Sequence, residues 1–248
     1  MGRGFLLLVL TALLAGAGPA CGQGSGRFDG WATAVIAADW RDGGGQPIQA
    51  FDNARRDVAR GLVAAGLPRD SLVEFSLRPD GTTAMEALQA VADVADRATR
   101  GCLLYFTSHG TPRGMVFGGD AILEPADMAM LVRQWCGARP TVVVVSACYS
   151  GVFVNALAAP NRMILTAASR ERTSFGCGAE ERYPWFDGCV IESLPAAADF
   201  LALAAGTRAC VARKEAAAGI TLPSEPQLFV GAEMQLRLPT LRFERGGG

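Results

Sequence analysis

The chain is poor in the side chains that bind metals and nucleic acids. It has one histidine and no C-x-x-C pair among its 248 residues, whereas structural zinc sites usually use four Cys or His ligands. Its 23 basic and 24 acidic residues nearly cancel, and no long run of either charge occurs. We therefore expect no metal ion, no organic cofactor and no nucleic-acid partner.

The first residues have the pattern of an export signal. Arg3 provides a positive charge, residues 5–14 are apolar, and small residues precede Cys21. The apolar stretch is shorter than the ~20 residues that span a bilayer. We predict a signal peptide over residues 1–20 and a periplasmic or extracellular protein. Cys21 also fits the lipidated position of a lipoprotein signal, which would attach the protein to a membrane; an uncleaved anchor is the alternative.

The remaining residues, 27–248, are enough for one domain with a substantial core, since 50% of the chain is hydrophobic. Short apolar runs alternate with segments of helical spacing. Strands are predicted over residues 31–38, 73–77, 102–107, 141–145, 163–168 and 227–230. Helices are predicted over 50–65, 83–98, 125–135, 152–158 and 194–205, and a hairpin over 115–122.

This alternation predicts an α/β fold with a mainly parallel central sheet and helices on both faces. Functional sites in such sheets lie beyond the carboxyl ends of the strands. His109 follows the strand predicted over 102–107, and Cys148 follows the one over 141–145. Both residues are therefore expected at one edge of the sheet.

A cysteine and a histidine at neighbouring strand ends have the chemistry of a thiol hydrolase. A free thiol has a pKa of about 8.5 and needs a nearby base to become a nucleophile at neutral pH. We predict Cys148 as the nucleophile, His109 as the general base, and the N–H groups of Cys148 and Gly110 as oxyanion donors. Taken singly, Cys148 also fits a small buried side chain and His109 a structural hydrogen-bonding group.

The other cysteines are candidates for disulfides, which export would permit. Five remain besides Cys21 and Cys148, and an odd number leaves one thiol unpaired unless Cys21 takes part. Cys177 and Cys189 enclose a short charged segment that is rich in glycine, so we predict a bridge between them. The full connectivity stays open.

Three motifs resemble those of the legumain family (peptidase family C13), and the chain resembles a bacterial-type member of that family. They are S-H-G over residues 108–110, S-A-C-Y-S-G over 146–151 and T-A-A-S-R-E-R-T-S-F-G-C over 166–177. The resemblance covers roughly residues 31–192. It implies a caspase-like three-layer fold and cysteine endopeptidase activity, with His109 and Cys148 at the catalytic positions.

Some positions depart from that family's asparagine-binding pocket. Ser146 and Tyr149 stand where the family has glutamates, and uncharged residues near Ile48 and Gln49 stand where it has an Arg-His pair. Ser174 and Thr173 match the serines of the pocket. The resemblance thus assigns substrate contacts to Ser146, Tyr149, Ser169, Thr173 and Ser174, while the preferred substrate residue stays open.

The family's orienting asparagine has no clear counterpart in this chain. Asp39, after the first strand, is the nearest candidate, because a carboxylate can hold an imidazole as an amide does. The alternative is that Asp39 is an ordinary loop or cap residue.

These observations predict a cysteine endopeptidase that acts on peptides or proteins through an acyl-enzyme thioester. Attack on the thioester by an amine instead of water would make the protein a transpeptidase or transamidase. A protein that keeps the fold but only binds exported peptides is a further alternative, and the oligomeric state stays open.

Overall fold

The computed structural model describes Met1 and residues 26–244, so the predicted signal peptide and Cys21 lie outside the described residues. The strands are β1 (Trp31–Ala37), β2 (Leu72–Ser76), β3 (Gly101–Thr107), β4 (Gly110–Thr111), β5 (Gly114–Val116), β6 (Ile122–Leu123), β7 (Thr141–Ser146), β8 (Arg162–Thr166) and β9 (Gln227–Val230). The α-helices are α1 (Ala50–Ala64), α2 (Ala84–Arg97), α3 (Pro125–Cys136), α4 (Val152–Leu157), α5 (Trp185–Ser193), α6 (Phe200–Ala217) and α7 (Ala232–Arg237). None of the helices in the described ranges is long and apolar enough to cross a membrane.

A six-stranded sheet in the order β2-β1-β3-β7-β8-β9 forms the centre. Every neighbouring pair is parallel except β8 and β9, which are antiparallel. All residues of β1, β3 and β7 are buried, because helices cover these strands on both sides, and their sequences are accordingly mostly apolar.

Two hydrophobic clusters pack on opposite faces of the sheet. Val35 belongs to one cluster and its neighbour Ile36 to the other, because successive side chains of a strand point to opposite faces. Helices α1, α5 and α6 contribute to the first cluster, and α2, α3 and α4 to the second. The predicted α/β fold with a mainly parallel sheet and helices on both faces is confirmed.

The region after β8 departs most from the prediction. The helix predicted over 194–205 starts later and runs further than predicted: a 3-10 turn at Leu194–Ala196 separates α5 from α6, which spans Phe200–Ala217. Pro195 lies in this turn, and Asp199 caps the start of α6 by accepting a hydrogen bond from the N–H of Ala202 (2.9 Å). Helix α5 was not predicted, since Gly188 interrupts a short apolar run that lacks a helical stripe.

The predicted hairpin is larger than the sequence indicated. Strands β4, β5 and β6 form an antiparallel sheet of their own, in which Gly110 pairs with Met115. The chain that leaves β3 through His109 therefore enters this small sheet at once. The N–H of Val116 donates to the carbonyl of His109 (2.9 Å), which fixes the sheet against the histidine loop.

The predicted disulfide between Cys177 and Cys189 is wrong. Cys189 pairs with Cys210, and Cys102 pairs with Cys136. The reason is tertiary: α5 packs on α6 and brings Cys189 and Cys210 to a Cα–Cα distance of 5.6 Å. Cys177 lies in the loop before α5 and packs against a separate cluster that includes Ile48.

Candidate active site

Strands β3 and β7 lie side by side and end together. Their last paired residues are Thr107 and Ser146, and the N–H of Ser108 donates to the carbonyl of Ser146 (3.0 Å). His109 and Cys148 therefore leave the sheet next to each other at its carboxyl edge, where α/β proteins build their sites.

Gly110 brings the two loops into direct contact. A Cβ at this position would lie 1.9 Å from the carbonyl oxygen of Cys148 and 2.9 Å from its carbonyl carbon. Both are backbone atoms of a tightly held turn, which cannot move aside as the end of a side chain can. Only glycine fits here, and it allows the histidine loop to pack on the backbone of Cys148.

The half-buried thiol of Cys148 lies against Ser174. The N–H of Ser174 donates to Sγ at 3.3 Å, and the Ser174 hydroxyl lies 3.6 Å from the same sulfur. Tyr149 adopts the left-handed region with φ 57°, which is uncommon for a residue with a side chain. Its N–H donates to the carbonyl of Arg172 (2.8 Å). The loop of residues 172–174 is thus fastened to the cysteine turn at two points.

His109 is held by a backbone carbonyl. Its Nε2 lies 2.8 Å from the carbonyl oxygen of Arg41, and its ring packs edge-on against Phe51 with centroids 5.0 Å apart. A carbonyl can only accept, so Nε2 carries a proton in this hydrogen bond. The neutral imidazole then has Nδ1 free to accept a proton, which is the form that a general base requires.

Asp39 does not hold the imidazole directly. Its Oδ1 accepts hydrogen bonds from the N–H of Trp40 (2.8 Å), the N–H of Arg41 (3.2 Å) and the Nε of Arg41 (3.0 Å). The orienting group for His109 is therefore the Arg41 carbonyl, while Asp39 shapes the loop that presents this carbonyl. Sequence reasoning missed the carbonyl because no side-chain type marks it.

The Arg41 guanidinium ties this loop to the turn between β5 and β6. It forms an ion pair with Asp120 (2.8 Å) and donates to the carbonyl of Gly119. The hydrogen bonds to Asp39 and Asp120 raise the pKa of Arg41 further above its ordinary value. We call Asp39, Arg41, Gly119 and Asp120 the arginine latch.

The predicted substrate-contacting residues occupy different positions. Ser174 contacts the thiol and Tyr149 follows it, whereas Thr173 is exposed. The backbone of Ser169 lies against the Gly151 turn, since a Cβ on Gly151 would come within 2.9 Å of the Ser169 Cα. Ser146 is buried beneath the site and donates its hydroxyl to Asp187 (2.9 Å).

Asp187 is the main residue that the sequence did not predict. Its carboxylate, on α5, is completely buried below the ends of β3 and β7. It accepts hydrogen bonds from the hydroxyls of Tyr105, Thr107 (2.8 Å) and Ser146. Burial raises the pKa of Asp187 to about 6. The available signal was a lone acidic residue inside the apolar run W-F-D-G-C-V-I over residues 185–191.

Cys177 is the second free thiol among the described residues. It packs against a small cluster that contains Ile48 and Phe51. Burial, with the nearby Cys148 and Asp187, raises its pKa to about 12, so Cys177 stays a thiol at neutral pH. No group of three or more His, Cys, Asp or Glu residues in the described ranges is arranged to hold a metal ion.

Comparison with known proteins agrees with this geometry. The crystal structure of caspase-1 from Spodoptera frugiperda is similar to this chain with a TM-score of 0.60 and 14% sequence identity, covering 81% of this chain and 86% of that one. No curated protein matches the chain in sequence. Residues 85–197 match the profile of the Peptidase C13 family, and this range includes His109, Cys148 and Asp187. The chain therefore has a caspase-like fold, and its residues 85–197 belong to the Peptidase C13 family.

Proposed function

We propose that the protein is a cysteine endopeptidase in which Cys148 and His109 form the catalytic dyad. Nδ1 of His109 takes the proton of the Cys148 thiol, and the thiolate attacks the carbonyl carbon of a peptide bond. The N–H groups of Cys148 and Gly110 stabilise the resulting oxyanion. The imidazolium protonates the leaving amine, and a thioester remains on Cys148.

The observation that carries this proposal is the contact between the two loops. Gly110 packs against the Cys148 carbonyl, so the residue next to it, His109, is held beside the nucleophile. The hydrogen bond from Nε2 to the Arg41 carbonyl supports the tautomer that accepts a proton at Nδ1. The N–H of Ser174 donates to the sulfur at 3.3 Å, so a hydrogen-bond donor already faces the proposed nucleophilic atom.

Water, activated by His109, would release the acyl group and complete hydrolysis. An amine that reached the thioester first would give transpeptidation by the same steps. A mass-spectrometric search for hydrolysed and ligated products, with an added peptide amine, measures the partition between the two.

An acyl-type thiol probe tests the dyad directly. We expect covalent labelling of the wild type, loss of labelling in Cys148→Ala, and a loss of about 100-fold or more in His109→Ala. Cys177→Ala is the matched control, because Cys177 is the other free thiol and should label little. Labelling that moves to Cys177, or that survives in Cys148→Ala, would exclude Cys148 as the nucleophile. A folded wild type that neither labels nor cleaves peptides would favour a peptide-binding protein.

We also propose that the protein is exported. The two disulfides among the described residues support this proposal, since such bonds persist mainly in oxidising compartments. Mass determination of the mature N-terminus, with metabolic lipid labelling, would distinguish a cleaved protein, a lipoprotein on Cys21 and an uncleaved anchor.

A further inference from the structure

A single buried carboxylate links the two strands that carry the dyad. Oδ2 of Asp187 accepts hydrogen bonds from both Thr107 in β3 (2.8 Å) and Ser146 in β7 (2.9 Å). Oδ1 accepts from the hydroxyl of Tyr105, also in β3. One oxygen atom is therefore shared between two neighbouring strands.

The shared oxygen lies at the last point where the strands are still paired. Thr107 and Ser146 are register partners and form the final pair of β3 and β7. His109 comes two residues after Thr107, and Cys148 comes two residues after Ser146. Any change in the spacing of this pair is transmitted to the dyad through two short lengths of chain.

The carboxylate is a costly way to join two strands. Asp187 is completely buried, and none of the salt bridges in the described residues includes it. Desolvation of a carboxylate without a cation is unfavourable, and an apolar contact of similar size would often be more stable. Three directional hydrogen bonds, however, fix geometry in a way that apolar contacts do not.

We propose that Asp187 is a positioning residue that sets the distance and orientation between His109 and Cys148. It acts through Thr107 and Ser146 and does not touch the substrate. This inference rests on the proposed dyad. The hydroxyl of Ser146 thereby has a structural partner, in place of the substrate contact that the family resemblance assigned to it.

Alkylation of Cys148 by iodoacetamide as a function of pH tests this role in Asp187→Asn. In the asparagine side chain an NH2 group replaces one carboxylate oxygen. Because an amide nitrogen cannot accept a hydrogen bond, the hydroxyls that donated to that oxygen lose their acceptor. We expect the alkylation rate at pH 6.5 to fall by about tenfold and the rate at pH 9.5 to stay unchanged, because base then forms the thiolate without His109. We also expect kcat to fall by about 100-fold, with KM changed by less than about threefold.

The direction of the pH effect separates positioning from simple electrostatics. By simple electrostatics, removing a negative charge makes a nearby thiolate easier to form and would accelerate alkylation at pH 6.5. Faster or unchanged alkylation at that pH in Asp187→Asn would therefore overturn the proposal. Peptide mapping assigns the label to Cys148 and excludes a contribution from Cys177.

The double variant Thr107→Val with Ser146→Ala provides a second route. It removes the two hydroxyls that share Oδ2 and leaves Asp187 in place. We therefore expect the same fall in the rate of Cys148 alkylation at pH 6.5. Wild-type alkylation in this folded variant would contradict the proposal.

Asp57→Asn is the matched control. Asp57 is a mostly buried aspartate that also accepts a hydrogen bond from a tyrosine hydroxyl, that of Tyr183, but its partners Tyr183, Arg60 and Arg182 lie outside β3 and β7. We expect no change in its alkylation profile; an equal change would show that the effect is not specific to Asp187. A wild-type Cys148 that alkylates like an ordinary thiol of pKa about 8.5, with no peptide cleavage, would overturn the dyad and the positioning role together.

Discussion

The two sides of the cleft are held by different kinds of interaction. On the histidine side, the arginine latch reaches the surface: its Asp39 side chain is buried, Arg41 is partly exposed and the Asp120 side chain is 96% exposed. Beneath the strand ends, Asp187 is completely buried and bound by three hydroxyls. Ion pairs at the surface are screened by salt and contribute little, whereas buried polar networks are strong and leave few alternative arrangements.

This difference suggests a division of labour. The buried network fixes the relation between β3 and β7, which must not change during the reaction. The latch controls the loop whose carbonyl, on Arg41, orients the imidazole of His109. A surface contact of this kind permits small adjustments when a peptide binds.

The largest expected effect comes from removal of the buried carboxylate. Asp187→Ala leaves three buried hydroxyls without their acceptor and creates a cavity, so we expect the free energy of unfolding at pH 7 to fall by roughly 3–5 kcal/mol. Urea denaturation followed by circular dichroism measures this value. A change below about 1 kcal/mol would mean that water replaces the carboxylate at little cost.

The pH dependence of stability gives the next largest effect. The pKa of Asp187 is raised to about 6 in the folded protein from about 3.9 in the unfolded chain. The folded state therefore binds the proton more tightly, and this contribution to stability is complete below pH 4 and lost as the pH rises through 6. We expect the stability difference between wild type and Asp187→Asn to favour the wild type by about 2 kcal/mol more at pH 4 than at pH 7. A difference that grows in the opposite direction would contradict the assignment.

A smaller effect is expected from the latch. Arg41→Ala keeps the carbonyl that accepts from His109 but frees the loop, so we expect kcat/KM to fall by about tenfold. Arg41→Lys should recover only part of this loss, because an ammonium group cannot reproduce the forked contacts of a guanidinium. Full activity in both variants would show that the loop is held without the side chain.

The smallest effect is expected for the exposed partner. Asp120→Ala should leave the melting temperature unchanged within error, and activity should change less than in Arg41→Ala. Raising the salt concentration should affect the wild type and Arg41→Ala differently, since only the wild type has an ion pair to screen. A loss of activity in Asp120→Ala equal to that in Arg41→Ala would remove the contrast between the arginine latch and the buried Asp187 network.

The sequence predicted most of the fold because the central strands are mostly apolar runs. The run T-V-V-V-V over residues 141–145 predicted a buried strand, and Cys148 lies in the loop that follows it. The run over residues 102–107 predicted β3 in the same way, with His109 in the loop after it. These predictions need only local periodicity and the rule that sites lie at the carboxyl ends of parallel strands.

The features that the sequence did not predict depend on contacts between distant segments. The pairing of Cys189 with Cys210 requires α5 to pack on α6, and nothing near either cysteine encodes that contact. Asp187 becomes significant only when its helix places it under Thr107 and Ser146. The Arg41 carbonyl is a backbone atom, so no residue type identifies it.

The disulfides have a consequence for how the active protein can be made. Four cysteines must be oxidised while Cys148 stays reduced, so maturation needs an oxidant that discriminates between thiols. Refolding in strong reductant would keep Cys148 reduced but leave both bridges, Cys102–Cys136 and Cys189–Cys210, open. Strong oxidant would close the bridges but could also convert the half-buried Cys148 thiol to sulfenic acid or a mixed disulfide. A preparation with low activity should therefore be examined for its thiol content before its substrate is judged unsuitable.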